Sequence, residues 1–392
     1  MTQPLWMLPQ GIEEILPPVA ARIEAMRRRI LDLHTRWGYE LVYPPIVEHL
    51  ESLLTGTGHA LDLHTFKLID PLSGRSLGVH ADMTPQVARI DASRLQREGT
   101  VRLSYAGTVL RTQRTSVGVG RSPMQLGAEL FGHQGVESDA EIVSLMLASL
   151  AEAGIDTPQL DLGHVGVYRA VVQPLALDAA DENRLFDIML RKARPELDGL
   201  VDRLGFGDAI ADALRALLNL SGDPSVLIRA RGELGLGGSD AVLAALAELG
   251  ALVQHVNQRH PGVPVLIDLC ELRGYNYHTG VVFSAYHSDA MVEIARGGRY
   301  DNIGASFGRA RPATGFSCDL KQLSGLDAAN EPGTAGILAP EHDEPGLWSA
   351  ITALREQGER VVVALSADDD ARALGCDRTL VFQDGHWTPR QI

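Results

Sequence analysis

Three side chains could hold a cationic, hydrogen-bond-donating small molecule. Asp82 and Glu129 are carboxylates and Gln125 is an amide, so together they offer acceptors to an α-ammonium group and to the N–H of an imidazole ring. Gln125, Gly127 and Glu129 alternate along a short apolar run, and alternation puts all three on one face of a strand. Arg111 and Arg273 could meet a ligand carboxylate through paired hydrogen bonds, the geometry a guanidinium fork favours. Tyr277 and His278 would add a ring surface with polar tips. Taken singly, each position reads as structural before it reads as ligand-binding, since one Glu on a strand can simply face solvent. Only their combination suggests an amino-acid pocket.

These residues need a rigid frame, and the flanking sequence predicts one. Ile23, Met26, Ile30, Leu33 and Trp37 recur at helical spacing over 19–37, and Gly38 ends that helix. Residues 39–43 then read as a strand stopped by Pro44 and Pro45. A hairpin is expected over 65–79, with its turn at 71–75, and Pro85 suits the first turn of a helix carrying Val87, Ile90 and Leu95. Strands are predicted over 101–111 and 124–132, separated by the Gly- and Ser-containing stretch 116–120, with a helix over 137–153. From about 174 to 262 the texture turns to Ala- and Leu-rich helical segments, which we read as a helical insertion. Its glycine run, Gly235 to Gly238, lacks the Gly-Lys-Ser/Thr ending and the preceding strand of a phosphate loop, and reads as a helix–helix connection. Strands return at 265–269, 281–283 and 292–295. Beyond a linker over 326–332, residues 333–392 read as one small α/β unit of strand, helix and two strands. The expected organisation is therefore α+β, with a main domain over 1–325, the insertion at about 174–262, and the small C-terminal unit.

Composition narrows the partners. The chain of 392 residues carries 50 Asp and Glu against 35 Lys and Arg, a formal net charge of −15. Proteins that grip nucleic acid concentrate positive charge, because neutralising phosphates supplies most of their affinity. The acidic balance argues against such a partner. The arginines at 22 and 27–29 read as one face of the amphipathic first helix. Cys270, Cys318 and Cys376 are widely separated and match neither a metal motif nor a disulfide framework, which fits a reducing cytoplasm. Neither a signal peptide nor an apolar run of membrane-spanning length is expected.

Three segments carry a family resemblance that covers roughly residues 5–325. They are Glu271 to Phe283, Arg296 to Asp301 and Pro312 to Lys321, and in order and wording they resemble the catalytic domain of histidyl-tRNA synthetases, which are class II enzymes. The first helix, strand and prolines are similar to the class's dimer-forming first motif, implying a homodimer. Residues 108–132 are similar to its second motif, with Arg111 at the arginine position. By this resemblance Asp82 and Thr84 would surround the amino group of bound histidine, and Gln125, Glu129, Arg273, Tyr277 and His278 match further histidine contacts. Gly297 to Asp301 match the family's glycine-rich turn before a core helix, and close backbone approach is the simpler account of those glycines.

The departures lie on the ATP side. The third motif of a working synthetase ends in an arginine facing the triphosphate, and here Gln322 holds that place, with Asp319 where the family has glycine. A neutral amide loses charge-assisted phosphate binding, and a carboxylate nearby repels phosphate. Gln113 replaces the second motif's acidic residue and Pro123 its adenine-stacking aromatic. Lys321 would restore a charge only through a one-residue shift, and helical geometry turns it about 100° away.

This combination closely resembles the regulatory subunits of ATP phosphoribosyltransferase, particularly at 273–280 and 309–317. What the resemblance implies is a noncatalytic, cofactor-free homodimer bound to a short catalytic chain in a hetero-octamer. It would support the first step of histidine biosynthesis and mediate feedback by L-histidine, bound in the retained pocket or at the interface with the catalytic chain. The alternatives are a divergent histidine-activating ligase and an RNA-binding pseudo-synthetase.

Overall fold

Among the predicted elements, the first helix shows most directly how the sequence builds its frame. It runs Val19–Arg36 and buries Ile23, Met26, Ile30 and Leu33 along one stripe. Gly38 ends it in a left-handed conformation at φ +84°, and the Tyr39 N–H turns back to the His34 carbonyl at 3.0 Å. The computed structural model describes residues 7–55, 58–114, 120–234, 240–275, 277–326, 336–341 and 344–392, without the side chains of 58–60. The run Gly235–Gly238, the stretch 116–119 and most of the 326–332 linker lie outside the described residues.

The chain divides into two units, Met1–Ala328 and Ala329–Ile392. Among the described residues, the first is built on a nine-stranded sheet. In chain order its strands are β1 (Glu40–Leu41), β2 (Val101–Thr108), β3 (Met124–Phe131), β4 (Gln159–His164), β5 (Ser221–Gly222), β6 (Val265–Asp268), β7 (Val281–Tyr286), β8 (Glu293–Arg299) and β9 (Ala313–Asp319). Their spatial order is β1-β2-β3-β9-β8-β7-β4-β6-β5. The run β2-β3-β9-β8-β7-β4 is antiparallel throughout, which gives the α+β character expected from the sequence. The helices Val19–Arg36, Val136–Glu152 and Asp240–Arg259 join one core with the sheet. A three-stranded sheet formed by Val47–His49, Ser76–Val79 and Phe66–Ile69 contains the hairpin expected over 65–79.

Between β4 and β6 the chain is largely helical, with helices Val165–Val172, Ala179–Leu190, Arg194–Leu204, Asp208–Leu217, Val226–Glu233 and Asp240–Arg259. In the second unit Ile337–Ala339 lies between the parallel strands Val361–Val363 and Arg378–Gln383, and His386–Gln391 adds an antiparallel edge. That edge strand was not anticipated because it contains Pro389, a residue sheets tolerate mainly at their edges.

Several expectations need correction. Gly297 and Gly298 are not in a turn before a core helix but inside β8, and a short 3₁₀ segment, Ile303–Phe307, follows. A Cβ on Gly297 would lie 2.1 Å from the Gly315 carbonyl oxygen, so close backbone approach is what the residue is for. The strand expected to continue to Arg111 stops at Thr108. Among the described residues, no helix is long and apolar enough to cross a membrane.

Candidate functional site

The central strand β3 places the site. All but the first of its residues are buried, and Glu129 is 1% exposed within that apolar setting. Register brings Gly315 of β9 opposite Glu129, and Gly298 of β8 opposite Gly315. A Cβ at Gly315 would sit 1.5 Å from Glu129 Oε2, so the carboxylate occupies the space that this residue leaves. The two glycines therefore form a floor of bare backbone beside a buried acid.

Two tyrosines hold that acid. Tyr105 on β2 donates its hydroxyl to Glu129 Oε1 at 2.9 Å, and the Tyr300 hydroxyl donates to Oε2. Gly127 makes the first contact possible, since a Cβ there would lie 2.5 Å from the Tyr105 hydroxyl. Burial pushes Glu129 up to about 8, against the downward pull of the tyrosine hydroxyls, and the nearby Asp82 carboxylate pushes the same way as burial. At neutral pH the site therefore stores a largely protonated carboxyl.

Above this floor lies a cavity of about 340 Å³. Of the eight residues singled out in the sequence, Asp82, Thr84, Glu129, Arg273, Tyr277 and His278 line it. Asp82 Oδ1 is fixed by the Thr84 N–H at 2.9 Å and by Gln125 Nε2 at 3.0 Å. Thr84 Oγ1 lies 3.0 Å from the Tyr105 hydroxyl, linking the two acidic groups into one network. Tyr277 stacks on Tyr300 with ring centroids 4.9 Å apart, and its hydroxyl is buried without a partner among the described residues. His278 is held neutral, because burial pushes it down to about 4, and its Nδ1–H donates to the Arg299 carbonyl at 3.3 Å.

Gln125 and Arg111 do not line the cavity. Gln125 stands behind it, accepting from the Met83 N–H at 2.9 Å while donating to Asp82, so it orients the carboxylate. Arg111 donates to the Ala81 carbonyl at 3.1 Å, and burial lowers its pKa while Asp82 opposes that shift. Arg273 lines the cavity with its fork already engaged. It meets Glu271 at 2.7 Å, Glu293 at 2.6 Å and the Tyr286 hydroxyl at 2.8 Å. A ligand carboxylate would have to displace one of these partners.

Sequence reasoning missed Tyr105, Tyr300, Glu271 and Glu293 as site residues. Tyr300 sat in plain view after the Gly-Gly-Arg run. Tyr105 gave no such signal, because its place opposite Gly127 is set by the register of β2 on β3.

The replaced positions on the far side are occupied by internal contacts. Asp319 Oδ1 accepts from the backbone N–H groups of Met124 and Lys321, each at 3.0 Å. Gln322 Nε2 donates to the Glu293 carbonyl at 2.7 Å. Lys321 Nζ lies 3.3 Å from Ser122 Oγ and 3.5 Å from a Glu13 carboxylate oxygen. Pro123 is buried and Gln113 is exposed. Among the described residues no cluster of His, Cys, Asp and Glu could hold a metal ion.

Residues 11–323 match the family model described as histidyl-tRNA synthetase, and residues 334–390 match the ATP phosphoribosyltransferase subunit HisZ C-terminal domain. The chain is 52% identical over 388 residues to the ATP phosphoribosyltransferase regulatory subunit of Thioalkalivibrio sulfidiphilus, covering 98% of each. It is also 52% identical to that of Ectopseudomonas mendocina, covering 97% of each. A crystal structure from Bacillus halodurans, titled an ATP phosphoribosyltransferase regulatory subunit/histidyl-tRNA synthetase, superposes with a TM-score of 0.81 at 28% identity, covering 95% of this chain and 97% of that one. Histidyl-tRNA synthetase from Nostoc superposes at 0.78 with 18% identity, covering 99% and 97%, a likeness of fold alone.

Proposed function

The chain belongs to the family of ATP phosphoribosyltransferase regulatory subunits, and we propose that within this role it reads L-histidine in the cavity beside Glu129. It acts as a noncatalytic regulatory subunit in histidine biosynthesis, partnered with the catalytic ATP phosphoribosyltransferase. The observation that carries the histidine reading is the one-sided state of the site. Acceptors for an ammonium and an imidazole remain around one cavity, whereas the phosphate-facing position is an amide tied to a backbone carbonyl. Asp82 and Thr84 would take the α-ammonium, with Gln125 holding Asp82 in place. Glu129 and Tyr277 would meet the imidazole, His278 would close the wall, and Arg273 would exchange a carboxylate partner for that of the ligand. Arg111, which donates to the Ala81 carbonyl beside Asp82, would support this wall rather than touch the ligand.

In the same reading residues 1–325, including the insertion at about 174–262, make up the ligand-reading domain, and 333–392 make up the second, smaller domain. The assembly is a homodimer within a hetero-octamer containing a short catalytic chain, in the cytoplasm, without a nucleic-acid or membrane partner. Occupancy changes catalysis only to the extent that histidine binds two arrangements of the assembly with different affinity.

Two measurements test this. Co-expression with a short phosphoribosyltransferase chain should yield one complex whose activity depends on this protein and falls as histidine is added. Calorimetry on that complex should show histidine binding that weakens strongly in Glu129→Ala. Unchanged binding in the variant would move the effector site elsewhere, to the interface between the two chains.

A further inference from the structure

One wall of the cavity is carried by the segment Asp268–Thr279, and that segment is tied to the start of the helical region at four places. Lys192 Nζ meets Asp268 Oδ2 at 2.6 Å. The Cys270 thiol donates to the Met189 carbonyl at 3.4 Å. The Tyr275 ring packs edge-on against Tyr168, with centroids 5.3 Å apart, and lies 5.4 Å from Phe186. Arg169 sits over the Tyr275 ring at 5.0 Å and donates to three backbone carbonyls, those of His278 at 3.1 Å and of Tyr275 and Thr279 at 3.4 Å. None of Tyr168, Arg169, Tyr275 and Phe186 lines the cavity, while Glu271, Arg273, Tyr277 and His278 of the same segment do.

Arg169 differs from the other tethers in reaching both sides of Tyr277. Its guanidinium is a rigid fork with five N–H donors, so one side chain fixes the backbone before and after that tyrosine. A ligand that shifts the backbone around Tyr277 would move the carbonyls that Arg169 holds, and through them the helix Val165–Val172. Tyr275 passes the same displacement to Phe186 on the next helix, Ala179–Leu190.

We propose that Arg169 is a positioning residue that sets Tyr277 and His278 for the ligand and couples occupancy of the cavity to the first helix of the insertion. The coupling rests on the cavity being a histidine site. By linkage, whatever histidine does to the order of these helices, a partner gripping them does to histidine affinity.

Hydrogen exchange on the full-length protein, with and without saturating L-histidine, reads this directly. In the wild type, amides of Ala179–Leu190 should slow on histidine addition. Arg169→Gln should weaken histidine about tenfold, the worth of roughly one charge-assisted hydrogen bond, and abolish that protection. Exchange in the Val136–Glu152 core helix should be unchanged, which separates positioning from a general loss of structure. Arg169→Lys, keeping the charge but not the fork, should weaken histidine on the order of threefold. Phe186→Leu, which leaves the carbonyl contacts intact, should keep affinity within about twofold yet lose the protection signal. If Arg169→Gln does not fold, these last two variants decide the matter. Wild-type affinity and protection in the arginine variants would overturn the proposal, as would an insertion indifferent to histidine. Binding lost in Glu129→Ala but intact in Arg169→Gln would remove this coupling alone. A wild type that binds no histidine would remove the site reading with it.

Discussion

Replacing Glu129 by glutamine should strengthen the fold and weaken the site at once. In the folded protein the carboxyl is pushed up to about 8, mainly by burial, from an ordinary value of 4.5. The sign is opposite to that of a salt-bridged acid. Between pH 4.5 and about 8 the unfolded chain has released a proton that the folded chain retains, so stability falls as pH rises and levels off above the folded value. At about 1.4 kcal/mol per pH unit, holding this group costs roughly 3 kcal/mol at pH 7, as an order of magnitude. Glutamine keeps the shape, still accepts one tyrosine hydroxyl and carries no such cost. Denaturant midpoints of wild type and Glu129→Gln should therefore nearly coincide near pH 5 and separate progressively toward pH 8, with the variant the more stable. All other groups titrate in both proteins and cancel in the difference. Calorimetry on the same samples should show histidine binding weaker by about 2- to 10-fold, the value of a hydrogen bond between neutral groups. Parallel stability profiles across this range would refute the argument, because they would mean that the carboxyl ionises normally in the folded state.

Other expectations follow from the same contacts. Gly315→Ala should displace the Glu129 carboxyl, costing about 1–3 kcal/mol in denaturant unfolding and at least about tenfold in histidine affinity. Arg299→Met leaves Asp139 buried without the guanidinium that meets it at 2.8 Å, and should cost about 3–5 kcal/mol in the same unfolding experiment. Histidine-dependent exchange of pyrophosphate into ATP should be absent in the wild type. It should remain absent in Gln322→Arg, since Asp319 is still anchored by two backbone N–H groups.

Much of this architecture could be read from the chain because its signals are local. The first helix carries a clean apolar stripe and a glycine stop, and β3 alternates Gln125, Gly127 and Glu129 onto one face. What stayed hidden depends on neighbours distant in sequence. β4 was missed because Pro158 and Gly163 blur a short apolar run, and β9 because Gly315 weakens its strand pattern while contributing the space Glu129 needs. Glu271, two residues from Arg273, is a local partner, but the full engagement of Arg273 could not be foreseen, since Tyr286 and Glu293 are brought together by the pairing of β7 with β8. Gln125 stands out in the sequence as a ligand contact, but its place behind Asp82 follows from an amide's two-sided hydrogen bonding in three dimensions.

The bare-backbone floor under the cavity has a consequence for how such a site can change. A wall made of side chains can be re-cut one substitution at a time, because each exchange alters a shape and leaves the rest standing. A floor made of main chain offers no such increments: at Gly315 even a methyl group collides with Glu129, and at Gly298 a Cβ would lie 2.7 Å from the Val281 carbonyl oxygen. Libraries meant to redirect this protein to another effector should therefore vary Thr84, Tyr277 and His278 and leave the two glycines untouched. Natural drift faces the same asymmetry, so altered ligand preference should be inscribed on the walls, and loss of the ligand on the floor.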